Sequence, residues 1–492
     1  MTEAIIDPRT PVLVGIGVVQ QKEKDPARAE EAVALMTRAA RLAGEDAGVP
    51  ALLTRLDRIG VPQGLWSYPD AGRMVARAIG APSARTTSAQ IGILQQTLMS
   101  AACSRIAAGE TAIEMVVGGE ARFRQLQAQI AGVDAPETSC NDVPDETLTP
   151  ETELVQDVEV NGGLGYMPVG YYAVIESAFR HAMGWGVDEH RDRLAALYER
   201  FSEIAAVNPE AWKAERVPAA QIRNASPKNR MLAFPYTKLH NTSWNVDQAA
   251  ALLFCSAGLA AKLGVPRERW VFPRAGTESN HMLALTERPE LHRCPGAKLA
   301  GRRALELAGI AVGELDLLEM YSCFPIAVES YATEIGISPD RDLTVTGGMP
   351  FAGGPLNNYV LQATARMARL LRERGKGSGL VTSVSGYLTK QGFGVWSMAP
   401  GHGFGFADVT AEVAAATPAR TVSALVDGPV TIRGCTVMYH EDRALCAVAV
   451  VDQADGSRSV ANSLDPAVMA RVETEECCGR AAVVSGGQLV LG

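Results

Sequence analysis

The sequence predicts an α/β protein with two similar halves, an inserted helical segment between them and a small all-β domain at the end. Three observations support this prediction. Short apolar strands alternate with helices up to about residue 120, the same rhythm resumes from about residue 245, and it stops after about residue 405. We therefore expect four units, at 1–120, 121–244, 245–404 and 405–492.

The first unit alternates buried strands with helices rich in alanine. We predict strands at 11–19, 57–62 and 114–119, and helices at 30–47 and 90–108. Gly109 directly follows the second helix, at a place where glycine commonly ends a helix. The insertion begins with an acidic, proline-rich stretch and then continues with predicted helices at 170–183 and 188–206.

The third unit repeats this order of elements, which indicates a weak internal duplication. We predict helices at 246–263, 297–308 and 359–374, and strands at 271–273, 316–321 and 379–384. The fourth unit contains short strands separated by Asp-Gly turns, which is typical of a small sandwich or an OB-like barrel. We predict these strands at 421–425, 430–436, 444–451, 457–463 and 481–491.

Composition restricts the class of protein. The 492 residues are 47% hydrophobic and 21% charged, the balance of a soluble globular chain, and no apolar run is long enough to cross a bilayer. A net charge of −9 argues against nucleic acid as a partner. The nine cysteines show no metal-type spacing, so we expect reduced thiols in the cytoplasm and no metal site.

Three turns rich in glycine or proline follow predicted strands in the second half of the chain. They are 321–325, 347–355 and 385–394. Turns at strand ends are where α/β proteins place ligands, and glycine lets the backbone approach a ligand closely. We therefore expect the functional site at these turns.

Four segments together resemble the thiolase superfamily, and the resemblance covers roughly residues 8–400. The segments are 10–17, 107–120, 246–250 and 347–355. The additional C-terminal unit is similar to that of the thiolase-like protein type 1 group, a branch of the SCP-type thiolases. The resemblance implies a duplicated five-layer αβαβα fold, acetyl-CoA acetyltransferase-like function in lipid metabolism, and CoA or acyl-CoA as ligand, with no covalently bound cofactor.

The resemblance also places the family's catalytic positions on this chain. The nucleophilic cysteine corresponds to Gly92, the two imidazole or amide positions to Tyr321 and Gly354, and the second cysteine falls near Val384 or Ser385. A Claisen condensation needs a nucleophile to carry the acyl group and a base to form the enolate. The sequence therefore predicts a thiolase fold without the usual cysteine and histidine chemistry.

Other side chains near the turns remain candidates. Cys323 is either a thiol of the site or a core residue, and Tyr321 and Tyr387 are either acid/base groups or the aromatic wall of a pantetheine tunnel. Candidates for CoA binding are His240, Thr242, Ser243, Asn245 and Lys390, with Arg122, Lys228 and Arg230 as candidates for its phosphates.

Three functions are compatible with this pattern. The first is a CoA or acyl-CoA binding protein, and the second is a thiolase-fold acyl-CoA lyase of retro-aldol type that uses tyrosines. The third is a non-catalytic interaction protein whose C-terminal domain recruits a protein partner. We expect a monomer or a homodimer.

Overall fold

The computed structural model describes residues 6–150 and 154–492. The strands in these ranges are β1 Pro11–Gln21, β2 Arg58–Pro62, β3 Arg85–Ala89, β4 Ile113–Ala121, β5 Glu146–Leu148, β6 Met231–Ala233, β7 Tyr236–Thr237, β8 Asp247–Ser256, β9 Phe272–Ser279, β10 Leu317–Glu319, β11 Ser378–Ser385, β12 Lys390–Ser397, β13 Gly405–Asp408, β14 Gly428–His440, β15 Arg443–Gln453, β16 Arg458–Ser463, β17 Ala481–Ser485 and β18 Gln488–Val490.

The helices lie between these strands and in the insertion. They are α1 Ala32–Asp46, α2 Ala71–Ala78, α3 Gln95–Ala108, α4 Arg122–Ala131, α5 Asp157–Glu159, α6 Pro168–Met183, α7 Val187–Ala206, α8 Ala219–Arg223, α9 Ala257–Leu263, α10 Pro295–Ala308, α11 Pro325–Ile335, α12 Met349–Ala352, α13 Tyr359–Arg374, α14 Thr410–Ala416 and α15 Pro466–Thr474. None of the described helices is long and apolar enough to cross a membrane.

Two sheets and three helical layers form the core. The first sheet has the order β1-β8-β4-β2-β3-β5 and the second the order β10-β11-β12-β9-β13. Helices α1 and α2 pack outside the first sheet, α3 and α13 lie between the sheets, and α10 packs outside the second. The mixed α/β fold of stacked layers is confirmed.

The internal duplication is visible in the strand pairing. In the first half β8 lies antiparallel between β1 and β4, and β2 is parallel to β4. In the second half β12 lies antiparallel between β9 and β11, and β10 is parallel to β11. The three turns predicted to form the site lie at or beside ends of elements in the second half, and Ser385, in the last of them, contacts Gly92 just before α3 of the first half.

The helix predicted at 246–263 is wrong over most of its length, because the chain forms β8 before α9. Residues 247–255 are all buried, since helices cover both faces of this central strand. A continuous apolar run lacks the alternation that distinguishes a strand from a buried helix, and the alanines of β8 favoured the prediction of a helix. Similarly, the helix predicted from residue 90 begins at Gln95.

The C-terminal strands close into a small barrel. Strand β14 pairs with both β15 and β17, and the ring is completed in the order β15-β16-β18-β17. The chain differs from the predicted unit 405–492 in three respects. Strand β13 pairs with β9 of the core, the segment predicted as a strand at 421–425 forms none, and β6 of the insertion pairs with β14.

The barrel is packed on the insertion. Helix α6 lies against β14, and the Ser177 hydroxyl accepts a hydrogen bond from the Cys435 backbone N–H at 2.8 Å. The guanidinium of Arg180, also on α6, forms an ion pair with Glu476 at 3.1 Å. The insertion is therefore held between the core and the barrel.

Candidate functional site

Gly92, the position expected for the family's nucleophile, lies in the loop before α3 and close to the turn between β11 and β12. Its carbonyl oxygen accepts hydrogen bonds from the Ser385 hydroxyl and the Lys390 ammonium, each at 3.3 Å. Lys390 is buried. The structure thus brings together Gly92, Ser385 and Lys390, which are far apart in sequence, and a backbone oxygen occupies the centre of the group.

The backbone at Gly92 requires glycine. Its φ is +106°, and an added Cβ would lie 3.0 Å from Cγ of Pro150. A side chain at such a φ is strained, and Pro150 covers the position from outside. Helix α3 begins three residues later at Gln95, so Gly92 is not part of the helix itself.

Gly354, the expected histidine position, is closely packed. An added Cβ would lie 2.2 Å from Cγ2 of Thr242, and the Gly354 N–H donates to the Ser243 carbonyl at 3.0 Å. The Thr242 hydroxyl in turn donates to the Cys323 carbonyl at 3.3 Å. The space for an imidazole is filled by Thr242, and the segment 242–243 joins the turns at 323 and 354.

Cys323 is a partly buried thiol in an aromatic setting. Burial raises its pKa to about 12, although a hydrogen bond from the Tyr172 hydroxyl acts in the opposite direction. The Tyr172 ring stacks on Phe324 with centroids 4.3 Å apart. A thiol with this pKa is almost entirely protonated at neutral pH, and the thiolate is the form that acts as nucleophile.

Tyr321 is supported by a network centred on Glu319, a residue that sequence reasoning missed. The buried Glu319 carboxylate accepts hydrogen bonds from the Tyr359 hydroxyl at 2.5 Å and from the N–H groups of 345 and 346 at 2.8 and 2.9 Å. The Tyr321 ring meets the Tyr359 ring edge-on at 5.8 Å, and burial raises the pKa of Tyr321. The network fixes the turn at 321 against the turn at 347.

Tyr387 occupies a strained turn. Its φ is +50° and that of Leu388 is +75°, values that non-glycine residues adopt rarely. The Tyr387 hydroxyl donates to the Tyr166 carbonyl at 2.7 Å, and its ring packs on Tyr171 with centroids 4.8 Å apart. Burial raises the pKa of Tyr387 to about 12. The phenol is therefore protonated at neutral pH and is tied to the insertion.

Three buried amides lie between the start of α3 and the loop that leads into α13. The Gln95 amide N–H donates to Asn357 Oδ1 at 2.6 Å. Gln95 Oε1 and the remaining polar atoms of Asn357 and Asn358 have no hydrogen-bond partner within the described ranges. The sequence signal that could have indicated these residues is the Asn357-Asn358 pair, just after the predicted turn 347–355. Buried amides usually have all their hydrogen bonds, so the unpartnered atoms here are an exception.

The residues predicted to bind CoA separate into two groups. His240 is 2% exposed, packs between Tyr198 and Tyr236, and has its pKa lowered by burial to about 3, so it is a neutral core residue. Thr242, Ser243 and Asn245 are partly buried and lead to the exposed Trp244. The Arg122 guanidinium lies over the Trp244 ring at 5.1 Å, and Lys228 and Arg230 are exposed on the insertion.

Comparison with known proteins gives curated relatives that match about half of the chain and a solved structure that covers nearly all of it. No family model matches it. Over 253 residues, 48% of this chain and 62% of the relative, it is 29% identical to an acetyl-CoA acetyltransferase of Methanothermobacter thermautotrophicus, so the match spans less than two thirds of that relative. A monomeric SCP2-thiolase-like protein type 1 from Mycobacterium smegmatis matches with a TM-score of 0.84 and 28% identity, covering 99% of this chain and 100% of that one.

A further solved structure matches the chain less closely. It is an Ltp2-ChsH2(DUF35) aldolase, with a TM-score of 0.59 and 16% identity over 80% of this chain and 98% of that one. At this identity the likeness concerns the fold alone.

Proposed function

We propose that this chain, a member of the thiolase superfamily similar to the SCP2-thiolase-like proteins of type 1, binds coenzyme A or an acyl-CoA and does not transfer the acyl group through a cysteine. The single observation that carries the proposal is Gly92. The position that the resemblance assigns to the nucleophile holds no thiol, its carbonyl oxygen accepts from Ser385 and Lys390, and Pro150 packs over it.

The other cysteines near these turns are disfavoured as nucleophiles: burial raises the pKa of Cys294, whose thiol donates to the Leu388 carbonyl at 3.4 Å, to about 11. The pKa of Cys323 is raised to about 12, and the expected base positions hold Tyr321 and Gly354. Cys103, on α3, is buried in the core and its pKa is raised by burial. An acyl-enzyme needs both a reactive thiolate and a base beside it, and this arrangement favours neither.

A backbone segment that connects the surface to these turns supports the proposal that the chain binds a long thioester. The segment 242–245 runs from Gly354 and Cys323 to the exposed Trp244, beside Arg122. An indole stacks on a purine, and a guanidinium attracts phosphate. We assign Trp244 and Arg122 to the adenine and phosphate end of CoA and the segment 242–243 to the pantetheine chain, in a function in lipid metabolism.

The finer description of the C-terminal domain is also a proposal. Its ring order β14-β15-β16-β18-β17, with β16 parallel to β18 and α15 between β16 and β17, supports an OB-like barrel. We propose that this barrel offers a surface for a protein partner. Its excess of acidic residues over arginine disfavours a nucleic acid.

Calorimetric titration of CoA into the purified chain tests the proposed function. We expect saturable binding that Trp244→Ala weakens about tenfold, because one lost stacking contact costs roughly 1–3 kcal/mol. Trp244→Phe should retain most of the affinity. Arg302→Ala serves as the control. It changes an exposed arginine on α10, outside the second sheet, and this variant should bind CoA as the wild type does.

The titration can also refute the proposal. An isotherm without heat, together with an unchanged melting temperature at saturating CoA, would exclude CoA binding. Equal affinities in Trp244→Ala and the wild type would exclude the assigned adenine position while leaving CoA binding itself intact.

A further inference from the structure

A cluster outside the candidate site brings together three ligand-type side chains from three helices. Glu176 lies on α6, His190 on α7 and Glu329 on α11, and we call these residues the three-helix cluster. One ligand atom from each residue lies within 4.8 Å of the other two. The cluster joins the insertion to the core, because α6 and α7 belong to the insertion and α11 to the second half.

The cluster is almost closed to solvent. Glu176 is 0% exposed and His190 is 1% exposed, while Glu329 is partly buried. His190 Nε2 is 2.7 Å from Glu176 Oε1, and the Tyr236 hydroxyl donates to Glu176 Oε2 at 2.5 Å. One imidazole and two carboxylates therefore share a small volume from which water is largely excluded.

The protein groups around the cluster leave it short of positive charge. Within the described ranges, no arginine or lysine forms an ion pair with Glu176 or Glu329, and the nearby Arg193 pairs instead with Glu189 at 2.9 Å. Glu329 Oε2 is shut off from solvent, and no described N–H or O–H group donates to it. His190 beside Glu176 can compensate only one of the two carboxylates, and a second buried carboxylate without a partner is costly, so Glu329 Oε2 indicates a ligand.

We propose that the three-helix cluster binds one divalent cation of the zinc type. Imidazole nitrogen and carboxylate oxygen are ligands that Zn²⁺ prefers, at about 2.0–2.2 Å each. The cation replaces the hydrogen bond between His190 and Glu176, and the three protein ligands leave a fourth position for water. The Tyr236 hydroxyl holds the Glu176 carboxylate in place, as residues behind metal ligands commonly do.

Such a cation stabilises the packing of three helices next to the candidate site. Helix α11 begins at Pro325, directly after Cys323 and Phe324, and the Phe324 ring stacks on Tyr236 at 5.6 Å. Binding at Glu329 fixes α11 against α6 and α7. The proposal is independent of CoA binding, because none of the three ligands belongs to the turns or to the segment 242–245.

Metal analysis of the full-length protein tests the proposal. The protein is stripped with a chelator, dialysed against Zn²⁺ and then against metal-free buffer, and its zinc content is measured by mass spectrometry. We expect about one Zn²⁺ per chain in the wild type and a higher melting temperature with the metal. Glu329→Gln keeps the shape of the side chain and should lose both the zinc and the zinc-dependent increase in melting temperature.

Two further variants complete the experiment. His190→Ala should lose zinc as well, whereas His440→Ala removes an exposed histidine of the barrel and should retain it. A wild type with only trace zinc and no response of its melting temperature would overturn the proposal and indicate a proton shared by the two carboxylates. Zinc content equal in Glu329→Gln and the wild type would also overturn it, because the metal would then lie elsewhere.

Discussion

Replacing Gly92 by alanine tests whether the nucleophile position is closed to any side chain. The φ of +106° alone is expected to cost roughly 1–3 kcal/mol in a residue with a Cβ. The contact with Pro150 at 3.0 Å adds to this cost, because overpacking destabilises a well-packed site. We therefore expect Gly92→Ala to reduce the free energy of unfolding by about 2–4 kcal/mol.

A glycine that also has a positive φ but has free space around it provides the control. Gly132, at the end of α4, has a φ of +67° and no atom within 4 Å of an added Cβ. Gly132→Ala should cost only about 1–2 kcal/mol. The assay is urea denaturation followed by circular dichroism, with Pro150→Gly added in a double-mutant cycle to isolate the contact. A midpoint for Gly92→Ala equal to that of Gly132→Ala, or no coupling to Pro150, would refute the reasoning.

Three other predictions concern stability around the site. Burial raises the pKa of Glu120, on β4, from about 4.5 to about 7, so between these pH values the folded state holds a proton that the unfolded state has released. The free energy of unfolding should therefore fall by up to roughly 3 kcal/mol as the pH rises from 4.5 to 7. Melting curves of Glu120→Gln should lack this dependence on pH. Tyr387→Phe removes the hydrogen bond to the Tyr166 carbonyl and should cost about 1 kcal/mol in urea titrations with unchanged CoA affinity; loss of a measured lyase turnover would instead support tyrosine catalysis. Gly354→Ala should lower the melting temperature, and adding Thr242→Ser should restore part of it, because serine keeps the hydroxyl and lacks the methyl group 2.2 Å from the added Cβ; an unchanged melting temperature in Gly354→Ala would contradict the packing.

Local patterns predicted most of the core. Helices such as α1, α7 and α13 and strands such as β2 and β11 were predicted from their periodicity or from a short buried run between turns. Strand β8 was not predicted, because helices cover both of its faces and its sequence is therefore a continuous apolar, alanine-rich run. The boundary near 405 also differed, since β13 pairs with β9 through contacts that are distant in sequence.

The candidate site was predicted in part. The resemblance placed Gly92 and Ser385 at catalytic positions, and Lys390 was a separate candidate for CoA binding; the structure joins all three through the Gly92 carbonyl oxygen. It gave no indication of Glu319, whose role depends on hydroxyl and N–H donors from other segments. The histidine chosen as a CoA ligand, His240, lies in the core, because sequence position cannot distinguish a loop side chain that points inward from one that points outward.

The three-helix cluster also could not be predicted from the sequence. Its residues lie on three helices, and no two of them have the short spacing of a metal motif in the sequence. The expectation of no metal site was based on cysteine spacing alone. Only the packing of α11 against α6 and α7 brings Glu329 to the other two residues.

The central claim, binding of a CoA thioester without an acyl-cysteine, is tested most directly by intact-protein mass spectrometry after incubation with acetyl-CoA and with acetoacetyl-CoA. The account predicts an unmodified mass under conditions in which calorimetry shows that the ligand is bound. A mass increase of one acetyl group that maps to Cys323 or to any other cysteine would contradict it.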